Sequence, residues 1–282
     1  MKYLDLFELG KKIEIMDIGA AAINEIPIYT NLISNKIGNL NAFEGDERQI
    51  EKLKLKYKES IKLFTEFLFD GSEQDLYLAA PESGMTSLFK PNKKVLNFFN
   101  HFSHIGKISE IKKIQTSKLN DIEKLPLIDF AKLDIQGSEL TVLKNGNLKL
   151  KKCLAIQVEV SYVCLYENQP TFGEIDLWMR ENGYIPHRFM DIKRWSIAPT
   201  LFNNNPRVPG NQLLESDIIY IKDPFKAEFL DEEQLKKLIL LSHYCFQSYD
   251  LSVFFILELE KRNILEKDTF KNYITNIKKF SQ

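Results

Sequence analysis

The chain has 282 residues, enough for one large α/β domain, or a domain with an appendage, and enough to bury a full core without staples. Hydrophobic residues at 44% and charged residues at 27% are those of a soluble globular protein, and a formal net charge of −1 excludes a global field that would draw in nucleic acid or an anionic bilayer. Three well-separated cysteines (Cys153, Cys164, Cys245) among apolar or aromatic neighbours suit reduced, buried thiols, while no signal sequence opens the chain and no 18-residue apolar run occurs. A cytoplasmic location without stable membrane insertion is therefore expected.

Taken in chain order, residues 13–18 form a short apolar run ending at Asp17-Ile18-Gly19 and predict a buried first strand. Pro27 suits the first turn of a helix that Asn35 and Gly38 can end. Residues 41–44 predict a second strand with Glu44 at its tip, and Asp46 with Gln49 gives a capping-box pattern for a helix to about Lys58. The lysines of 52–62 alternate with apolar residues at helical spacing and describe a solvated face. Residues 61–69 alternate as a third strand would, ending at Asp70-Gly71. A β-α-β-α-β order within seventy residues is the mark of a parallel, doubly wound sheet.

Further on, 76–79 and 107–116 predict strands, with a loop over 81–91 and an aromatic-rich helix or lid over 93–104. The βα rhythm resumes with strand 128–134, helix 138–145 ended by Gly146, strand 154–160, and helix 171–181 ended by Gly183. Strands near 184–191 and 214–222 flank a Pro- and Asn-rich loop over 199–211. Helices follow at about 231–244, 249–262 and 266–280, so the expected domains are 1–224 and a helical extension, 225–282, packed on it. The stretch 251–259 is apolar on nearly every face, as a wholly buried helix is, either within the monomer or across a homodimer.

Five acids, Asp17, Glu44, Asp70, Asp134 and Glu159, stand at the carboxyl ends of predicted central strands, where open α/β sheets bind ligands. Acids are poor strand formers and are seldom buried without partners, so packing explains such a rim badly. The rim suits a cationic ligand rich in hydroxyl and amino donors. An acid at the tip of the second strand can accept from a ribose diol. A nicotinamide dinucleotide fits poorly: the turn after the first strand, Gly19-Ala20-Ala21-Ala22-Ile23, has one glycine rather than a phosphate nest.

The run Lys132-Leu-Asp-Ile-Gln-Gly-Ser-Glu-Leu140, with Gln157-Val-Glu-Val-Ser-Tyr162 and Leu165-Tyr-Glu-Asn-Gln-Pro170, resembles the FkbM family of methyltransferases across about residues 13–222. That resemblance implies a Rossmann-like, doubly wound, mostly parallel sheet of the class I methyltransferase type, carrying a C-terminal helical extension. It implies S-adenosylmethionine as cofactor and O-methylation of a sugar hydroxyl, in a surface glycan or its precursor. A secondary-metabolite acceptor is the alternative, as is a non-catalytic binding module. The last is raised by Ala21 and Ile23, which replace the family's usual Asn and Gly, and Gly45 stands where proline is common.

Within this frame Asp17, Gly19, Ala20, Glu44, Asp70 and Asp134 are the expected cofactor contacts. Asp134 is first choice, and Glu159 second, for the group that accepts or orients the hydroxyl proton. Gln136, Tyr162, Tyr166, Ser87 and His104 are expected on the acceptor side, Ser87 from the family pattern in Met85-Thr-Ser-Leu-Phe89. Glu139 opens a helix whose dipole favours an acid there. His101 and His104 share one predicted helix, and no third ligand accompanies Asp134 and Glu159, so no metal is expected. The expected partner is a small-molecule or glycan acceptor, not nucleic acid.

Overall fold

The computed structural model describes residues 7–20, 26–57, 61–80, 82–205 and 208–280. Seven strands make one sheet: β1 (Ile13–Ile18), β2 (Gly38–Phe43), β3 (Ile61–Phe64), β6 (Phe130–Leu133), β7 (Ala155–Ser161), β8 (Tyr184–Trp195) and β9 (Gln212–Lys222). Their order is β3-β2-β1-β6-β7-β9-β8. The pairs β2–β3 and β6–β7 are parallel, and β9 runs antiparallel to both β7 and β8. Chain order reverses between β1 and β6, the switch point where doubly wound sheets open a crevice. The expected Rossmann-like, mostly parallel sheet is therefore present. A second sheet pairs β4 (Glu73–Ala79) with β5 (Ile108–Gln115) antiparallel.

Alternation along the strands sorts the two faces. Met16 and Ile18, Ala131 and Leu133, Ile156, Val158 and Val160, and Ile218 and Tyr220 join one buried cluster. The same cluster takes in Leu140, Val142 and Leu143 of α5 (Glu139–Lys144), and Ile175 and Met179 of α6 (Phe172–Glu181). Each such side chain contributes roughly 1.5–3 kcal/mol when fully buried. The intervening positions carry Asp17, Lys132, Gln157, Glu159, Glu215 and Asp217, so this face turns polar toward the carboxyl ends of β1, β6 and β7.

Tertiary contacts divide the chain into two compact units: residues 16–25 with 40–222, and residues 1–15 with 26–39 and 223–282. The second unit contains α1 (Thr30–Ser34), α7 (Glu232–Leu241) with a π-helical continuation (Ser242–Phe246), α8 (Tyr249–Lys261) and α9 (Thr269–Phe280). Its core includes Tyr29, Leu32, Leu235, Leu238, Phe246, Phe255 and Leu259. Asp231 and Gln234 cap α7 reciprocally, as N-cap acids with Gln at the third helical position do. The expectation of a wholly buried 251–259 helix is corrected. Leu251, Phe255, Ile256 and Leu259 are buried, but Phe254 and Leu257 are exposed, because α8 meets neighbours along one side. Among the described residues, no helix is long and apolar enough to cross a membrane.

Three further expectations need correction. The third strand ends at Phe64 rather than Phe69, leaving Leu68 in an isolated bridge with Ser117, so Asp70 does not stand at the tip of β3. The helix over 93–104 is two helices, α3 (Lys93–Phe98) and α4 (Phe102–Ile105). Between them His101 takes a left-handed backbone (φ 72°) and the buried Asn100 side chain turns inward. The remaining helix of the first unit, α2 (Glu47–Tyr57), falls where its capping residues place it. Cys153 and Cys245 are buried and Cys164 is half-buried, all three as free thiols.

Candidate functional site

At the switch point the two turns touch. Gly19 follows β1 with φ 80°, a conformation L side chains rarely adopt, and a Cβ there would lie 2.0 Å from the Asp134 carbonyl oxygen. Gly19 N–H and Ala20 N–H both donate to the Phe43 carbonyl at the end of β2, at 3.1 and 3.2 Å, and Asp134 N–H donates to Ile18 O at 3.1 Å. One residue further, Glu44 is buried and its carboxylate accepts Asp46 N–H at 2.8 Å. Gly19, Ala20, Glu44 and Asp134 thus meet at one edge, whereas Asp70 lies on a separate turn, bonded to the Ser72 backbone and hydroxyl. That Ser72 hydroxyl holds the Asp70 carboxyl below the usual range. Residues 21–25, including the Ala21–Ile23 departure from the family pattern, lie outside the described residues.

The polar face supplies the second half. Gln136 has a left-handed backbone (φ 53°), which turns its side chain back so that Nε2 donates to Asp134 Oδ1 at 3.2 Å and Glu159 Oε2 at 3.0 Å. Its Oε1 accepts the Tyr166 hydroxyl at 3.0 Å. Ser87, Glu139, Phe89 and Gln169 hold this turn. Ser87 Oγ donates to Gln136 O at 2.7 Å, Glu139 Oε1 accepts Ile135 and Gly137 N–H at 2.9 and 3.2 Å, and Gly137 packs so closely that its missing Cβ would lie 3.1 Å from Phe89 and Gln169. Ser87 and Tyr166, expected to touch an acceptor, are buried with their hydroxyls engaged by the turn. Tyr162 is half-buried with its ring edge-on to Phe172 at 5.8 Å. His104 is exposed on α4, its ring 5.1 Å from that of His101.

Charges missed in the sequence complete the arrangement. Lys132 lies 3.2 Å from Asp134 and 3.9 Å from the buried Asp17, and Lys193 lies 2.8 Å from Glu215 and 3.7 Å from Glu159. Gln157 donates to Asp217 at 2.8 Å. Burial pushes the Asp134 carboxyl upward, but Lys132, Lys193 and the Gln136 amide outweigh it and hold the group below the ordinary range. Glu159 goes the other way: burial first, then Glu215 and Asp134, raise it well above the usual value against the pull of Lys193. The shared surroundings thus push the two carboxyls apart, Asp134 down and Glu159 up. Burial also raises Glu139, to about 7. A signal existed for Lys132 and Gln157, which stand two residues before Asp134 and Glu159 and so share one face of a strand with them, but not for Lys193 and Glu215.

Against this geometry, the sequence model of the methyltransferase FkbM domain matches residues 17–186. The chain belongs to the FkbM methyltransferase family. S-adenosylmethionine is the cofactor of FkbM methyltransferases, so this chain is a family member that uses it. No match was found among curated proteins. Solved structures similar to this FkbM-family chain include magnesium protoporphyrin IX methyltransferase from Synechocystis PCC 6803 with bound S-adenosylmethionine: 8% identity, 76% of this chain, 71% of that chain, TM-score 0.38. An uncharacterized protein from Listeria monocytogenes serotype 4b matches 100% of this chain and 98% of its own at 10% identity, TM-score 0.37. A protein of the NADB-Rossmann superfamily from Streptococcus agalactiae matches 99% and 96% at 11% identity, TM-score 0.36.

Proposed function

We propose that the chain transfers the methyl group of S-adenosylmethionine to a hydroxyl of a sugar, within a surface glycan or its precursor. The observation that carries this reading is the Gln136 amide joining Asp134 and Glu159 beside the Gly19 turn, which would give a polar acceptor side next to a cofactor edge. The donor set suits that cofactor. Glu44, buried at the tip of β2, would accept from the ribose diol, and the turn at Gly19 and Ala20 would approach the methionine end with backbone alone. When bound, the cofactor supplies an electrophilic methyl on a sulfonium. The chain's task is then to hold an acceptor oxygen in line and close, which can supply several kcal/mol of the barrier.

Asp134, charged and with its side chain 34% exposed, would take the hydroxyl proton as the new bond forms. Glu159, with its raised pKa, would donate to or accept from a neighbouring hydroxyl of the same ring. The sugar preference rests on the family resemblance together with these two carboxyls. The test starts with calorimetry of S-adenosylmethionine, its demethylated product and NAD. The first two should bind and NAD should not, and Glu44→Ala should weaken binding roughly 10- to 100-fold, the loss of charged hydrogen bonds of about 1.5–3 kcal/mol. Methyl transfer to sugar acceptors should then fall at least about 100-fold in Asp134→Asn. Absence of cofactor binding by the folded chain would leave the non-catalytic module instead.

A further inference from the structure

The near-neutral net charge conceals a local imbalance. Residues 90–109 and 192–214 contain seven Lys and Arg and not one Asp or Glu, in a chain with 38 basic and 39 acidic residues. The fold brings these two segments together. Ala198 N–H donates to Phe98 O at 2.8 Å, Asn100 N–H to Ser196 O at 3.2 Å, and the buried Asn100 side chain donates to Ser196 Oγ at 2.8 Å and Thr200 O at 2.6 Å. Trp195 Nε1–H closes the seam on Asn100 O at 2.8 Å.

A surface segment so fixed would ordinarily present polar side chains. This one presents Phe98, Ile197, Leu201 and Phe202, which are 40%, 42%, 46% and 45% exposed. On the same two segments Lys93, Lys94, Lys107 and Arg194 are exposed, and Lys94 precedes Phe98 by one helical turn. Ion pairs with Glu167 and with Glu159 and Glu215 hold Lys90 and Lys193. The layer beneath the seam, Phe99, Phe102 and Trp195, packs in one cluster with Tyr166, whose hydroxyl bonds Gln136.

We propose that this face docks the protein on an anionic lipid bilayer. Exposed apolar side chains on segments that carry exposed cations and no Asp or Glu of their own are what such a surface binds: the apolar groups enter the headgroup boundary and the cations meet lipid phosphates. Nucleic acid fits less well, since only Phe98 and Phe202 could stack bases while Ile197 and Leu201, half of the exposed apolar set, could not. Through the layer under the seam the docked face adjoins the acceptor side of the site, which suits a lipid-linked glycan precursor. That last step rests on the methyl-transfer reading, whereas the docking does not.

The test is co-sedimentation of the full chain with vesicles of phosphatidylcholine, with and without phosphatidylglycerol, at low and high salt. Binding to the anionic vesicles only, weakened by salt, is expected. At about fivefold per surface charge, Lys94→Glu with Arg194→Glu should lower it at least about twentyfold, and Leu201→Asp with Phe202→Asp should abolish it. All four positions are exposed, so the unfolding midpoint and the calorimetric affinity for S-adenosylmethionine should stay unchanged, which separates a failure here from a failure of the enzymatic reading. Three results would overturn the proposal: no vesicle binding, equal binding to neutral vesicles, or variants that bind as the parent does. A dimer lost in Leu201→Asp with Phe202→Asp would replace it with an interface between copies, and tight binding of single-stranded RNA by the same residues would replace it with a nucleic-acid surface.

Discussion

Glu139 is the residue whose behaviour departs most from its place in the sequence. An acid in a helix's first turn is ordinarily a dipole partner in water, but this one is buried with its carboxylate folded back onto the Ile135 and Gly137 amides. Burial raises its folded value to about 7 from an ordinary 4.5. Between those two pH values the folded chain keeps a proton that the unfolded chain has lost, so stability falls as pH rises through that window and levels off above it. The whole drop is roughly 3 kcal/mol, at 1.36 kcal/mol per pKa unit. Glu139→Gln keeps an oxygen for both amides and cannot titrate. Urea unfolding at pH 5 and pH 8 should therefore differ in the parent and differ by less in this variant, where the raised Glu159 still contributes; an unchanged difference would assign the titration to another carboxyl.

Strands and turns carry the next level of argument. Gly19 was expected as a cofactor contact, yet the contact between turns already demands it. Alanine there would meet the Asp134 carbonyl at 2.0 Å with a backbone at φ 80°. Gly19→Ala should cost at least about 2 kcal/mol, strain and overpacking each being of that order, read as a lower urea midpoint with no ligand present. The central strands were legible because apolar residues recur at alternate positions along β1, β6 and β7, and Asp134 and Glu159 were legible as acids at predicted strand ends. The break at Phe99–His101 was not legible, since it depends on Asn100 bonding to Ser196 and Thr200, nearly a hundred residues away. Lys193 and Glu215 were missed for a similar reason: only the antiparallel register of β8 on β9, and of β9 on β7, brings them beside Glu159. Local pattern gives periods and caps but not long-range register.

At the scale of the whole molecule, ligand binding and stability are linked. A cofactor that binds only the folded state contributes about 2.7 kcal/mol at a hundred times its dissociation constant. For a chain of this length that should raise the thermal midpoint by roughly 5 °C, while NAD leaves it in place. If the two units melt separately, the transition that moves should be that of residues 16–25 and 40–222, which hold Gly19, Glu44 and Asp134. The clamp at Asn100 has a different consequence. It fixes the chain at Thr200, and at the far end Gly210 lies so close to strand β8 that a Cβ would come within 2.9 Å of Trp195 O. The chain is thus anchored at Thr200 and again at Gly210, like a cassette in a frame. Closing a somewhat longer loop between fixed ends costs only tenths of a kcal/mol, so this is where relatives can diverge in length and composition, and where an engineer can graft a new specificity, without asking the sheet to fold again.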